Sequence, residues 1–252
     1  MTENSAAAVP ERRPPKRRGA LAFLRDVVVI IIVALLVSFL VKTFLIRSFY
    51  IPSGSMENTL QIDDRILVDE ITPRFTGYHR GDVVVFRDPG GWLTGESTAE
   101  APRPWIVEAF DWVLSLIGVS APDSDDHLIK RVIGLPGDHV VCCNAIGQIT
   151  VNGQPIDEKP YLKLAAGENE PEVVPFDVTV PADRLWVLGD NRDRSRDSRY
   201  NQDQPGKGFV PIENVVGRAF VITWPFDRFG LIDTHHAVFA GVPTPTASGS
   251  SP

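Results

Sequence analysis

The stretch Ser48–Asp64, SFYIPSGSMENTLQIDD, decides how the rest of this chain reads. It marks a change of pattern. Before it runs a membrane-length apolar segment. After it come short apolar runs of period two, separated by turns. It also carries Ser55, the serine best placed for chemistry, just past the apolar segment.

The segment before it is Val27–Ile46, VVVIIIVALLVSFLVKTFLI. As a helix it spans roughly 30 Å, the thickness of a hydrocarbon core. Lys42 lies one turn from its far end, within snorkelling reach of the interface. A cleaved signal peptide is the competing reading, but the run is too long and no small-x-small site follows it. Arg12, Arg13, Lys16, Arg17, Arg18 and Arg25 precede it, which predicts a cytoplasmic N-terminus and an extracytoplasmic remainder in the cell membrane. Ser55 then lies within about 30 Å of chain from the membrane exit. Residues 1–25 read as a basic disordered tail and 26–46 as the anchor. Residues 47–230 read as an extracytoplasmic domain, with an insertion at 88–126, and 231–252 as an unstructured tail.

Beyond Ile51 the apolar runs lie at 65–71, 82–86, 127–133, 139–143, 148–153, 177–180, 184–190 and 214–224, with turn signals such as Pro136-Gly137-Asp138 and Asn152-Gly153-Gln154 between them. This predicts a mainly β domain of antiparallel strands. Inside the insertion, Trp105–Val119 has helical spacing. It suits a helix lying on the membrane surface and a helix packed on the sheet equally well.

The formal net charge of −7 argues against a nucleic-acid partner. Among the usual motifs, GxSxG, HExxH, GxxxxGK[ST] and GxGxxG are all missing, and no Cys/His cluster has metal spacing, so neither metal nor cofactor is expected. The two cysteines are adjacent, Cys142 and Cys143. Across a trans peptide their Cα atoms lie about 3.8 Å apart, below the usual disulfide range. Two strand residues facing opposite ways are therefore expected, with a vicinal disulfide ranked second.

A serine needs a neighbouring base before it is a nucleophile. None of the five histidines lies in a Ser/Asp arrangement, and Asn58 rules out Ser-x-x-Lys. What remains is Lys130, in HLIKRVIGLPGD. Burial among Leu128, Ile129, Val132 and Ile133 disfavours an ammonium and lowers its pKa. Strand alternation separates it from Arg131. On spacing alone a solvated edge lysine is the better reading.

The boxes PSGSM at 52–56, GDVVVF at 81–86, IKRVIGLPGD at 129–138 and GDNRDRSRDSR at 189–199 occur together and in this order after the apolar run. In this the chain resembles the type I signal peptidases, serine–lysine endopeptidases that release secreted preproteins. The resemblance covers roughly Phe49–Val221 and excludes the insertion. It implies Ser55 as nucleophile and Lys130 as general base, with the Ser53 hydroxyl joining the Ser55 N–H in an oxyanion hole. It further implies that Ser195 orients the lysine amine, that Asp197 pairs with Arg199, and that Asp190 pairs with Arg131. Phe49, Ile51, Pro52, Met56, Leu60 and Ile129 match positions that line shallow substrate pockets for small residues. The substrate would be a signal peptide, extended against strand edges near 49–52 and 127–130. The chain departs from the family in having one anchor, adjacent cysteines and Arg194 before Ser195. Two other readings stand beside this one: a self-cleaving repressor of related fold, and a non-catalytic membrane-tethered β module.

Overall fold

The structure is a computed structural model that describes residues 19–44, 46–93, 126–164 and 174–245. It divides into two units, Met1–Leu40 and Val41–Pro252. An α-helix, α1, begins in the first at Ala20 and ends in the second at Phe44. It starts earlier than expected, because nothing between Gly19 and Asp26 breaks a helix. Its other end falls short of Ile46, which instead opens the first strand. Side chains of α1 are described from Ala22 to Ser38, and Phe23, Leu24 and Val28–Val33 among them are exposed. Among the described residues no helix is long and apolar enough to cross a membrane.

The second unit is mainly antiparallel β. Its larger sheet contains β1 (Ile46–Tyr50), β2 (Arg65–Asp69), β3 (Val83–Arg87), β4 (His127–Gly134), β9 (Arg184–Leu188), β10 (Val210–Pro211), β11 (Val215–Trp224) and β12 (Gly230–Leu231). The order is β1-β2-β11-β3-β4-β9-β10, with β12 on β11. A smaller sheet, β7-β6-β5-β8, is formed by β5 (His139–Cys142), β6 (Thr150–Val151), β7 (Gln154–Pro155) and β8 (Phe176–Thr179). Asn152 and Gly153 join β6 to β7, both at positive φ, as a two-residue hairpin requires. A short helix, α2 (Thr72–Thr76), follows β2.

Apolar side chains cover the larger sheet in separate clusters. Phe49, Ile51, Met56, Leu60, Val85 and Ile129 belong to one. Val84, Phe86, Trp92, Val132 and Val187 belong to another. β4 is thus covered on both faces, which is why the consecutive residues Lys130 and Arg131 are both buried. Lys130 is dry, as expected, and Arg131 turns to a different set of partners, although it is buried as well.

Two further expectations need correction. Cys142 and Cys143 form a disulfide; the peptide between them is cis and their Cα atoms are 3.0 Å apart, so the trans spacing behind the expectation does not apply. The segment after Gly230 is not all tail: Leu231 pairs in β12, and Ile232 and Phe239 are buried in the apolar clusters. Its apolar residues reach the core, and only 246–252 lie outside the described residues. The insertion opens as part of the domain, with Asp88 accepting from the N–H groups of Gly90, Trp92 and Leu93, and Trp92 packed on Phe86. The Trp105–Val119 segment and residues 1–18 lie outside the described residues.

Candidate active site

Ser55 sits in a short 3₁₀ turn, Gly54–Met56. Met56 and Leu60 are fully buried and pin this turn to the core. The loop from Ile51 to Asp64 is closed by backbone bonds, with Ile51 N–H donating to Asp64 O and Asp63 N–H to Ile51 O. Arg228 then holds the Asp64 carboxylate through two nitrogens at 2.9 Å. Local packing thus presents Ser55 on a braced loop, itself 5 % exposed.

Lys130 meets it from β4. Its Nζ lies 2.8 Å from Ser55 Oγ and 2.8 Å from the carbonyl oxygen of Ile129. Among the described residues no carboxylate pairs with the amine. Burial pushes its pKa down to about 8, against a smaller upward pull from the fields of Asp197 and Asp190. A neutral amine beside a hydroxyl is the arrangement a serine nucleophile needs. The Ser53 hydroxyl lies 3.4 Å from Ser55 Oγ.

The loop 189–199 builds the far wall. Asp197 accepts from Arg199 Nε and Nη2 at 2.9 Å and from the Gly189 N–H at 3.0 Å. Asp190 accepts from Arg131 Nε at 2.8 Å and Nη2 at 2.7 Å, and from the Thr59 hydroxyl at 2.5 Å. Arg131 also donates to Gly81 O and stacks over Tyr161. The expected bond from Ser195 to the lysine amine is not made: Ser195 Oγ is buried without a partner, and Lys130 spends its second bond on Ile129 O. Ser195 instead lies against Gly189, where an added Cβ would meet its Oγ at 2.2 Å and Ser55 O at 2.5 Å. The backbone has to pass between the two serines, so no side chain fits there.

Phe49, Ile51, Pro52 and Ile129 line one cavity of about 40 Å³, together with Ser53 and His127. Met56 and Leu60 are not in its wall; they are core. A larger cavity of about 590 Å³, lined by Tyr78, Leu135 and Ile212 among others, includes neither Ser55 nor Lys130 nor their partners. Proximity to Ser55 and Lys130, not size, singles out the small one. Among the described residues it lies between two incomplete edges: β1 ends the sheet, and the β4–β9 ladder begins only at Arg131↔Leu188.

Sequence reasoning missed several residues. Asn191 donates from Nδ2 to Gly54 O and to Glu57 Oε2, both at 3.0 Å, and its N–H donates to Ser55 O. Glu57 also pairs with Lys163 Nζ at 2.6 Å. Arg192 pairs with the buried Glu158 and donates to Gly189 O. Asn191 and Arg192 stood inside a quoted box, but Glu57, Glu158 and Lys163 carry no local signal.

A buried amine on a serine hydroxyl, in a β domain with open strand edges beside it, defines a hydrolase-like site of the serine type. The chain matches the family described as "Signal peptidase, peptidase S26" over residues 24–224, and it belongs to that family. It is 39% identical to a signal peptidase I of Mycobacterium tuberculosis, over 91% of this chain and 81% of the relative. A probable signal peptidase I-2 of Synechocystis sp. is 36% identical, over 92% of this chain and 86% of the relative. Signal peptidase I U of Bacillus subtilis is 30% identical, over 78% and 85%.

Proposed function

We propose that this chain is a membrane-anchored endopeptidase that cleaves signal peptides from secretory preproteins with a Ser55–Lys130 dyad. The observation that carries this is the 2.8 Å contact between Lys130 Nζ and Ser55 Oγ, both buried. Ser55 Oγ attacks the scissile carbonyl carbon while its proton passes to the neutral Lys130 amine. The tetrahedral oxyanion is met by the Ser55 N–H and the Ser53 hydroxyl. As the C–N bond breaks, the Lys130 ammonium returns the proton to the leaving amine. The acyl-enzyme is then hydrolysed by a water that Lys130 deprotonates.

The substrate runs extended between the free edges near 49–52 and 127–130, adding backbone hydrogen bonds to each. The cavity of about 40 Å³ between them suits a small side chain such as alanine and excludes branched ones. Family membership supports the same substrate. The apolar run Val27–Ile46, read from the sequence and not from the described helix, is assigned as the anchor in the cell membrane, with the basic N-terminus in the cytoplasm and residues 47 onward outside.

Cleavage of a preprotein by the solubilised full chain tests the dyad. Ser55→Ala and Lys130→Met lose activity by at least about 10³-fold, on the scale of other nucleophile and base removals. Full activity in either variant defeats the assignment.

A further inference from the structure

The nucleophile turn is held by more than its own backbone. Asn191 touches it at successive residues: its N–H reaches Ser55 O at 3.1 Å, and its Nδ2 reaches Gly54 O at 3.0 Å. The same Nδ2 donates to Glu57 Oε2, also at 3.0 Å. Glu57 in turn is gripped by Lys163 Nζ at 2.6 Å, with Arg194 Nη1 at 4.0 Å. Lys163 belongs to the loop docked on this wall, for its N–H donates to Asp190 O. Gly54 is covered by the Glu57 carboxylate, since a Cβ there would come within 2.8 Å of Oε1. Segments distant in sequence therefore converge on the turn that carries Ser55.

We propose that Asn191 is a positioning residue for Ser55, oriented by Glu57 and clamped from outside by Lys163, and that this clasp holds the nucleophile in its attack geometry. The inference rests on the dyad reading above. Asn191 does not touch Lys130 or any reacting atom; it fixes the Gly54–Ser55 backbone, and with it the Oγ and the N–H that meet the oxyanion. One amide spans the Gly54 carbonyl and a carboxylate, so its χ2 cannot turn without losing both. Lys163 and Glu57 are mutually charged: the Lys163 hydrogen bond, ahead of the opposing effect of burial, holds the Glu57 carboxyl below its ordinary range. The carboxylate thus stays available as acceptor through the neutral range.

The test is steady-state cleavage of a preprotein by the full-length chain in detergent, with active sites counted by a serine-directed acylating inhibitor. For Asn191→Leu, kcat per titrated site falls about 10- to 100-fold with KM within about twofold, the cost of a misplaced reacting group. The midpoint of its pH–rate profile stays at the wild-type value, because Lys130 is untouched. Glu57→Leu falls in the same way, and Glu57→Gln, whose amide oxygen still accepts from Asn191, recovers most of that loss. An unchanged kcat per site in Asn191→Leu overturns the proposal. So does a loss carried by KM, a shifted pH midpoint, or a Glu57→Gln variant no better than Glu57→Leu. If Asn191→Leu does not fold, the paired Glu57 variants decide. Activity surviving in Ser55→Ala would instead sink the dyad itself, so the two failures are told apart.

Discussion

Lys130 and Arg131 are neighbours on one strand and both are buried, yet only the arginine rests on a carboxylate, that of Asp190. The guanidinium, which does not deprotonate in proteins, is matched by a counter-charge on two nitrogens. The amine is given a hydroxyl and a carbonyl instead, and burial drives its pKa down to about 8. Two adjacent basic side chains are thus set apart by what faces each of them.

The first consequence is a pH dependence with a definite sign. In the proposed mechanism Lys130 works only when neutral, so kcat rises with pH through about 8 and levels above it. Lys130→Arg restores the positive charge but cannot deprotonate, and is inactive across the range. A pH–rate profile of the solubilised chain checks both; a rate that falls between pH 7 and 8.5 contradicts the assignment.

A second prediction concerns Asp197, whose field pulls the Lys130 pKa upward against the larger effect of burial. Asp197→Asn removes that charge and leaves Arg199 positive beside the site. The ascending limb therefore moves to lower pH. Breaking a buried pair costs about 3–5 kcal/mol, so the profile is measured well below the variant's melting temperature. A midpoint unmoved or moved upward counts against it.

Lys130 should also weaken the fold it serves. Its folded-state pKa of about 8 lies below the ordinary value of 10.5. Below pH 8 the folded chain holds a buried ammonium that the unfolded chain keeps in water, so the penalty there is complete. Between 8 and 10.5 the unfolded state binds the extra proton, and stability contributed by this group rises with pH. Lys130→Met is therefore more stable than wild type at pH 7, by about 1–2 kcal/mol once its two hydrogen bonds are discounted. Thermal melts at pH 7 and pH 10 check it, the gain shrinking at the higher pH.

The cavity beside Ser53 makes a prediction about selectivity. Ile129→Ala removes part of its wall, at a cost of about 2–5 kcal/mol in stability. On the proposed reading, preproteins carrying valine in place of alanine at the position this cavity receives then gain, relative to alanine, about tenfold in kcat/KM. Competition assays with paired substrates measure this ratio directly; an unchanged ratio removes Ile129 from the pocket.

Much of the β architecture was legible beforehand, since β2, β3, β4, β5, β9 and β11 fall on apolar runs bounded by turn signals. The short strands β7, β10 and β12 were not, because two residues carry no periodicity. The tail was misjudged for a related reason: Ile232 and Phe239 stand in apolar runs too short to show a period, 231–232 and 237–240, and their burial depends on a distant surface. Ser195 was placed in the right loop but given a bond that the backbone path through Gly189 does not make.

From residues alone came the apolar N-terminal run and the strand-rich body, because periodicity is written along the chain; Ser55 and Lys130 as a pair came from the resemblance carried by the four boxes, spacing alone favouring a solvated lysine. Their meeting across 75 positions, the drying of the amine, and the clasp of Asn191, Glu57 and Lys163 were decided by the tertiary structure. Burial and electric field are set by whatever packs around a group, and no single stretch of chain contains its own surroundings.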